Sequence, residues 1–295
     1  MNVKTKQILK YIYQIIPLKR QFYIATKKLL IPPRSISQYL RFTGVFKFRI
    51  DTVHAFLMKS HGFAIESDFF WNGFKGWEET SMKLWMKLSE KANVIFDIGS
   101  NLGIYSLVAQ CMNPQSTIYA FEPLAGNFVK LMSNVKINNY HVKCQRAALS
   151  NNNGIAKIYF NPLENQLSDK ASLNQNFLPN ASYYEIETLT LKTFIEKNNI
   201  PNINLMKIDV ETHEPEVLQG FAEYLDKFRP TLLLEILNEE VGKKVESYLK
   251  DKNYLYFNIC EETGNISQVN HIIKSDSFNY LICSEMTAKE IGVID

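Results

Sequence analysis

From residue 93 onward, short apolar runs alternate with stretches of helical period. The runs 94–98, 117–121, 142–144, 204–208 and 231–236 have few polar interruptions, the pattern of strands buried on both faces. Segments 103–112, 127–138, 190–198 and 215–228 carry helical spacing between them. This alternation predicts an α/β fold, a mostly parallel sheet with helices on both faces. Two later strands, 254–259 and 278–284, are joined by a polar stretch too poor in helix signals for a crossover, so the terminal strand is expected to enter antiparallel. Residues 150–187 break the rhythm and read as an insertion, with a turn at Asn152-Asn153-Gly154, a strand at 155–160 and a polar loop through Ser168 and Ser172.

The front of the chain is patterned differently. Between Lys4 and Leu30 the residues Ile8, Tyr11, Ile12, Ile15 and Ile16, then Phe22, Tyr23, Leu29 and Leu30, fall near helical spacing with lysines between them. One or two amphipathic helices are expected there, packed on the main domain with a solvated basic face. Ile31-Pro32-Pro33-Arg34 is a break. Residues 46–50 alternate, and 54–59 with 62–70 flank a turn at Ser60-His61-Gly62, which predicts short antiparallel strands. Residues 78–90 predict a helix with Met82, Trp85, Met86 and Leu88 on its apolar side. The expected division is a basic helical segment with a small β extension at 1–76 and a larger domain at 77–295.

Composition adds limits. The 295 residues are 46% hydrophobic and 21% charged, ordinary for a globular chain, and no apolar run approaches the roughly 18 residues of a spanning helix. The net charge of +3 hides an asymmetry: residues 1–50 hold 11 Lys/Arg and no acid, while the remaining 245 hold 22 basic and 30 acidic side chains. The front segment is therefore attracted to anionic surfaces, and contact with a membrane surface through residues 1–50 is the second reading of it. No cleavable signal pattern is present, and Cys111, Cys144, Cys260 and Cys283 are far apart without a C-x-x-C pair. These features predict reduced thiols and a cytoplasmic protein, peripheral to the inner face of the membrane where it touches one. Nucleic acid is not an expected partner, because the chain after residue 50 is acidic and has no amino-methylation motif of the N/D-P-P-Y/F type. There is no G-x-S-x-G elbow or G-x-x-x-x-G-K-[ST] loop, and His213-Glu214 lacks the second histidine of a zincin.

Three stretches carry chemistry. Val94-Ile-Phe-Asp97-Ile-Gly99-Ser100-Asn101-Leu-Gly103 is a buried strand ending in an acid, then a glycine turn opening a helix. Ligands of open α/β sheets bind at such carboxyl ends, and helix amides favour an anionic group. Asp97, standing just before the turn, would repel a pyrophosphate, whereas S-adenosylmethionine brings an ammonium and a sulfonium to the acid and a carboxylate to the helix. The strand ending Phe121-Glu122-Pro123 places a second acid where a ribose diol could donate to it. The third stretch, Leu205-Met-Lys207-Ile-Asp209-Val-Glu211-Thr212-His213-Glu214-Pro215, delivers acids and a histidine to the same edge, and Glu235 ends the next strand. Glu216 is read as a complement to the helix dipole, and Gly220 as the stop of the helix begun by Pro215.

These motifs, with Ala147-Ala148-Leu149-Ser150, Val217-Leu218-Gln-Gly220 and Arg229-Pro230 leading to Glu235, resemble the FkbM-type methyltransferases over residues 77–237. The resemblance implies a class I methyltransferase (Rossmann-like) fold, a mostly parallel seven-stranded sheet with a terminal antiparallel strand. It also implies O-methylation, frequently of sugars or secondary-metabolite hydroxyls. Cofactor contacts are expected at Asp97, Gly99, Ser100, Asn101, Gly103, Glu122 and Pro123, with Ala147 and Ala148 near the adenine. Thr212 departs from the pattern, since such sequences usually have Gly there.

The expected activity is methyl transfer from S-adenosylmethionine to a hydroxyl of a sugar, glycan or glycan precursor. Asp209 is the first expected base or acceptor-orienting group, followed by His213 and Glu211. Phe70, Trp71, Trp77 and Tyr105 are available to wall the acceptor pocket, with core packing as their other role. The leading reading assigns no metal ligand. Two alternatives are a metal-assisted O-methyltransferase, with Asp209, Glu235 and Asn238 around Mg²⁺, and a catalytically silent adenosylmethionine-binding or membrane-adaptor protein.

Overall fold

A computed structural model describes residues 17–37, 39–75, 78–160, 171–174 and 182–295, which fall into two compact units divided between Trp77 and Glu78. In the first unit, helices α1 (Lys19–Leu29) and α2 (Arg34–Ser37) precede a hairpin of β1 (Thr43–Arg49) and β2 (Ala55–His61), and helix α3 (Ala64–Asn72) follows. Of the helical pattern expected over residues 4–30, residues 1–16 lie outside the described residues.

The hairpin pairs Phe46 with Met58 and Phe48 with Phe56, and all four side chains are buried. Its reversal lies at residues 50–54, where the Asp51 carboxylate accepts from the backbone N–H groups of Val53 and His54. Residues 62–70, expected as a strand, are largely helix α3. The reason is Glu66, a fully buried carboxylate that accepts from the backbone N–H of Phe63 and of His61 and thereby fixes the start of the helix. A short run such as Phe69-Phe70-Trp71 is buried on several sides, and periodicity alone does not separate strand from helix in such runs. Phe70 and Trp71 belong to this unit's aromatic core, with the Phe70 ring 4.7 Å from Phe42 and the Trp71 indole N–H donating to the Leu40 carbonyl. Core packing is therefore the role the structure gives them, and Trp77 lies outside the described residues.

The second unit begins with α4 (Glu79–Lys91) and builds an eight-stranded sheet. Its strands are β3 (Val94–Ile98), β4 (Thr117–Phe121), β5 (Lys143–Gln145), β10 (Leu205–Ile208), β11 (Thr231–Glu235), β12 (Leu255–Ile259), β13 (Ile266–Val269) and β14 (Asn279–Cys283). The spatial order is β13-β12-β14-β11-β10-β3-β4-β5, and the five strands from β11 to β5 are parallel. Strand β14 runs antiparallel between β11 and β12, as the polar connection before it predicts. The seven expected strands gain an eighth, β13, on the outer edge; its four residues, with Ser267 and Gln268 exposed, are too short and polar to announce themselves.

Helices α5 (Ile104–Met112), α6 (Ala125–Ile137), α7 (Leu191–Asn198), α8 (Glu214–Phe221), α9 (Glu223–Phe228), α10 (Glu239–Leu249) and α11 (Glu285–Glu290) complete the unit. The single helix expected over 215–228 is broken at Ala222, which has φ 51°. Gly220 does not stop α8; it lets the helix approach Ser150, whose carbonyl oxygen would lie 2.0 Å from any Cβ there. Helix α10 has no counterpart in the sequence reading; Asn238 caps it by accepting from the Val241 N–H. The core runs along the parallel strands, with Phe96, Ile98, Met206, Ile208, Leu232 and Leu234 all nearly inaccessible.

The insertion forms its own sheet. Strands β6 (Ala148–Leu149), β7 (Gly154–Phe160), β8 (Ala171–Ser172) and β9 (Ser182–Leu189) take the order β6-β9-β7-β8. The expected strand at 155–160 is β7, and Ser168 lies outside the described residues.

Candidate active site

Strand β3 has β4 on one side and β10 on the other, so successive connections leave it in opposite directions. At such a switch point the loops at the carboxyl ends diverge and open a crevice. Asp97, Glu122, Asp209 and Glu235 are all delivered to that edge, by β3, β4, β10 and β11 respectively.

The glycine turn after β3 is held by its neighbours. The N–H groups of Gly99 and Ser100 both donate to the Phe121 carbonyl, and Ser100 Oγ donates to the Asp97 carbonyl at 2.7 Å. Gly99 has φ +80°, and a Cβ on it would lie 1.8 Å from the Asp209 carbonyl oxygen, so only glycine fits where the β3 and β10 loops cross. The Asn101 N–H donates to Glu122 Oε2 at 2.9 Å and the Leu124 N–H to Oε1 at 2.8 Å, aiming the carboxylate. Burial pushes the Glu122 carboxyl up to about 7 against those two donors. Ala147 and Ala148 are buried, and Ala148 packs in a small cluster with Leu124, one residue beyond Pro123.

Asp97 is fully enclosed. Its Oδ2 accepts from the N–H and hydroxyl of Ser106, while burial raises its pKa. Asp97 Oδ1 and Asn101 Oδ1 are buried and have no hydrogen-bond partner among the described residues, so both can accept from a further donor.

Lys207, to which the sequence reading gave no role, is the cation at the centre. It is 6% exposed, its Nζ lies 2.6 Å from Asp209 Oδ2, and it stands 4.5 Å over the Tyr105 ring. Burial works against its charge, but Asp209, Glu78 and Asp97 outweigh it and hold its pKa above the usual lysine value. The Tyr105 hydroxyl donates to Glu78 Oε2, so this aromatic supports the lysine cluster. The signal was present in Lys207-Ile-Asp209: residues two apart on a strand share a face, and a buried lysine needs a paired acid.

Asp209, Glu211 and Glu235 bring carboxylate oxygens within 4.8 Å of one another. Burial first, then the charges of Asp209 and Glu211, push Glu235 up to about 10. Glu214 is a fully buried side chain whose Oε1 accepts from the Val210 N–H, and burial pushes it up to about 8. His213 is not open on both ring nitrogens: Nε2 lies 2.9 Å from Ser150 Oγ and Nδ1 3.5 Å from Glu216, and burial lowers its pKa. It ties the loop after β10 to the end of β6. Glu211 and Thr212 have φ 53° and 79°, which accounts for the glycine usual at 212. The insertion secures this bend, Ser172 donating to the Glu211 carbonyl and Asn174 Nδ2 to Thr212 Oγ1.

The strand order and the crevice define a class I methyltransferase fold. Residues 97–256, 160 of the 295, match the family model described as the methyltransferase FkbM domain, and the chain belongs to that family. Its cofactor is S-adenosyl-L-methionine. The residues fit it: the two unpartnered buried oxygens would suit its ammonium, Glu122, aimed by two backbone N–H groups, would accept from its ribose hydroxyls, and the Gly99 turn would allow close approach to the backbone. The chain is 27% identical over 148 residues to the hexuronic acid methyltransferase AglP of Haloferax volcanii, covering 50% of this chain and 58% of that one. It is 29% identical over 157 residues to the 31-O-demethyl-FK506 methyltransferase FkbM of Streptomyces tacrolimicus, covering 44% and 60%. The aligned parts thus span about three-fifths of these relatives' lengths. Among solved structures, a methyltransferase FkbM from Methylobacillus flagellatus superposes with TM-score 0.42 at 12% identity, covering 65% of this chain and 43% of that one.

Proposed function

We propose that this chain transfers a methyl group from S-adenosylmethionine to a hydroxyl of a sugar or glycan precursor, with Asp209 receiving the acceptor's proton. The observation that carries this reading is the placement of Asp209 at the switch-point edge, beside the Gly99 turn, with one oxygen held by Lys207 and its side chain 29% exposed. The cofactor supplies an electrophilic methyl carbon, which the acceptor oxygen attacks as the thioether sulfur departs. Lys207 fixes the rotamer of Asp209 through Oδ2, leaving Oδ1 to accept from the acceptor O–H. A base held in this way typically contributes roughly 10² to 10⁴ in rate. His213, clipped between Ser150 and Glu216, positions the loop. Glu211 and Glu235 stand beside Asp209 and orient further acceptor hydroxyls.

The hexuronic acid named for the Haloferax volcanii relative supports a sugar acceptor. Asp209 and Glu211 beside the reacting position favour a neutral sugar over a uronic acid, because like charges repel at that range, while Glu235, pushed up to about 10, adds a neutral carboxyl. A second reading, metal-assisted transfer, is favoured by the same convergence of oxygens from Asp209, Glu211 and Glu235. The deciding experiment incubates the protein and cofactor with a panel of neutral and acidic glycans, with and without chelator, and reads the gain of a methyl by mass spectrometry. Methylation of neutral glycans that survives chelation is expected. Loss on chelation selects the metal-assisted route, and adenosylhomocysteine binding without transfer to any acceptor overturns the enzymatic reading.

A further inference from the structure

Helix α1 has two apolar faces. Inward, Tyr23 packs 5.4 Å from Trp71 and 6.2 Å from Phe42, and one turn on, Lys27 donates to the Phe70 carbonyl. On the opposite side Phe22, Ala25 and Leu29 follow one another at spacings of three and four, a single stripe of the helix surface, with Leu18 at the N-cap before it. That stripe is open: Leu18 is 69% exposed, Phe22 65% and Leu29 90%. Leu30, Ile31 and Ile36, beyond the helix, are exposed as well, so that eight of the 18 exposed large hydrophobic side chains of the described residues lie between positions 18 and 39. The solvated basic face expected of this helix is thus in large part an apolar one.

The charges on the helix itself have one sign. Lys28 lies on one flank of the stripe and Lys19 on the other, and no Asp or Glu occurs before Asp51; Arg34, which follows, is paired with Asp68 at 2.8 Å. An exposed apolar strip of this size marks an interaction surface. Covering it with a second copy of itself would set lysine against lysine across a two-fold axis. A surface that is both apolar and negatively charged satisfies both features at once.

We propose that this face docks on an anionic lipid bilayer, with Phe22 and Leu29 entering the headgroup boundary and the flanking lysines meeting lipid phosphates. Each basic residue at such a surface raises partitioning roughly fivefold, and the effect fades with salt. The inference stands on the first unit alone and does not depend on the methyl-transfer reading.

The test is co-sedimentation of the full chain with phosphatidylcholine vesicles, with and without one-quarter phosphatidylglycerol, at about 50 mM and about 500 mM salt. Binding to the anionic vesicles at low salt, at least about tenfold tighter than to the neutral ones, is expected. Phe22→Ser with Leu29→Ser should weaken it by about tenfold or more, and Lys28→Glu by roughly fivefold or more. Both variants should retain wild-type circular dichroism and adenosylhomocysteine affinity. Absence of binding to anionic vesicles, unchanged binding by the double variant, or a wild-type dimer that the double variant abolishes would each overturn the proposal. Failure of the wild type to bind adenosylhomocysteine would bear on the catalytic reading alone.

Discussion

The ammonium of Lys207 stands 2.6 Å from Oδ2 of Asp209, two residues along the same chain segment. Because Lys207 also faces the charges of Glu78 and Asp97, this one cation balances acids from three separate stretches of the chain. Removing one member of a buried charge cluster costs more than the pair contributes, since the remaining charges are left without a counter-ion.

Lys207→Met should therefore lose about 3–5 kcal/mol of stability in urea titration. Adding Asp209→Asn to it should restore part of the loss. A Lys207→Met protein within about 1 kcal/mol of wild type would show that the cluster is already neutralised by protons.

Asp209→Asn keeps the size of the side chain and removes its ability to take a proton. Turnover should fall by about 10³, in the range of general-base deletions, while adenosylhomocysteine affinity changes less than about threefold. His213→Asn should reduce turnover by about tenfold at most, because the ring holds a loop through Ser150. Equal losses for the two variants in steady-state assays would return His213 to the proton transfer.

Gly99→Ala should be severe. Its Cβ would meet the Asp209 carbonyl at 1.8 Å, and its φ of +80° disfavours any side chain. A destabilisation of about 2–4 kcal/mol is expected from left-handed strain plus overpacking, and cofactor affinity measured by calorimetry should drop with it.

Cofactor binding should depend on pH through Glu122. Its folded carboxyl is pushed up to about 7 by burial, and in the proposed site a ribose diol would donate to the ionised form. Below pH 7 a proton must be released before binding, so adenosylhomocysteine should bind roughly tenfold more weakly at pH 6 than at pH 8. Folding stability linked to this group runs the other way: it is full below the unfolded carboxyl value and is lost as pH rises through 7. Glu122→Gln should flatten both profiles, and a calorimetric affinity that is flat from pH 6 to 8 in wild type would remove Glu122 from ribose binding.

Thr212→Gly should be more stable than Thr212→Ala by about 1 kcal/mol, because both lose the hydrogen bond from Asn174 and only alanine keeps the left-handed strain at φ 79°. Thermal melting checks this, with Thr212→Ala as the control that retains the strain.

The strand-and-helix rhythm, the four acid-bearing strand ends and the family were legible in the chain because each is local. A buried parallel strand must be apolar throughout, and a turn at φ +80° under a crossing loop must be glycine. The same locality misled at residues 62–70, where an apolar run fits strand and helix alike until Glu66 is seen capping the helix through His61 and Phe63. Tertiary structure alone decided that Lys207 faces Asp97 and Glu78, that Gly220 serves contact with Ser150, and that the insertion's Ser172 and Asn174 hold the bend at Glu211 and Thr212. These are meetings between segments distant in sequence. Their energies depend on burial and on which charges face each other, quantities that exist only once the chain has closed on itself.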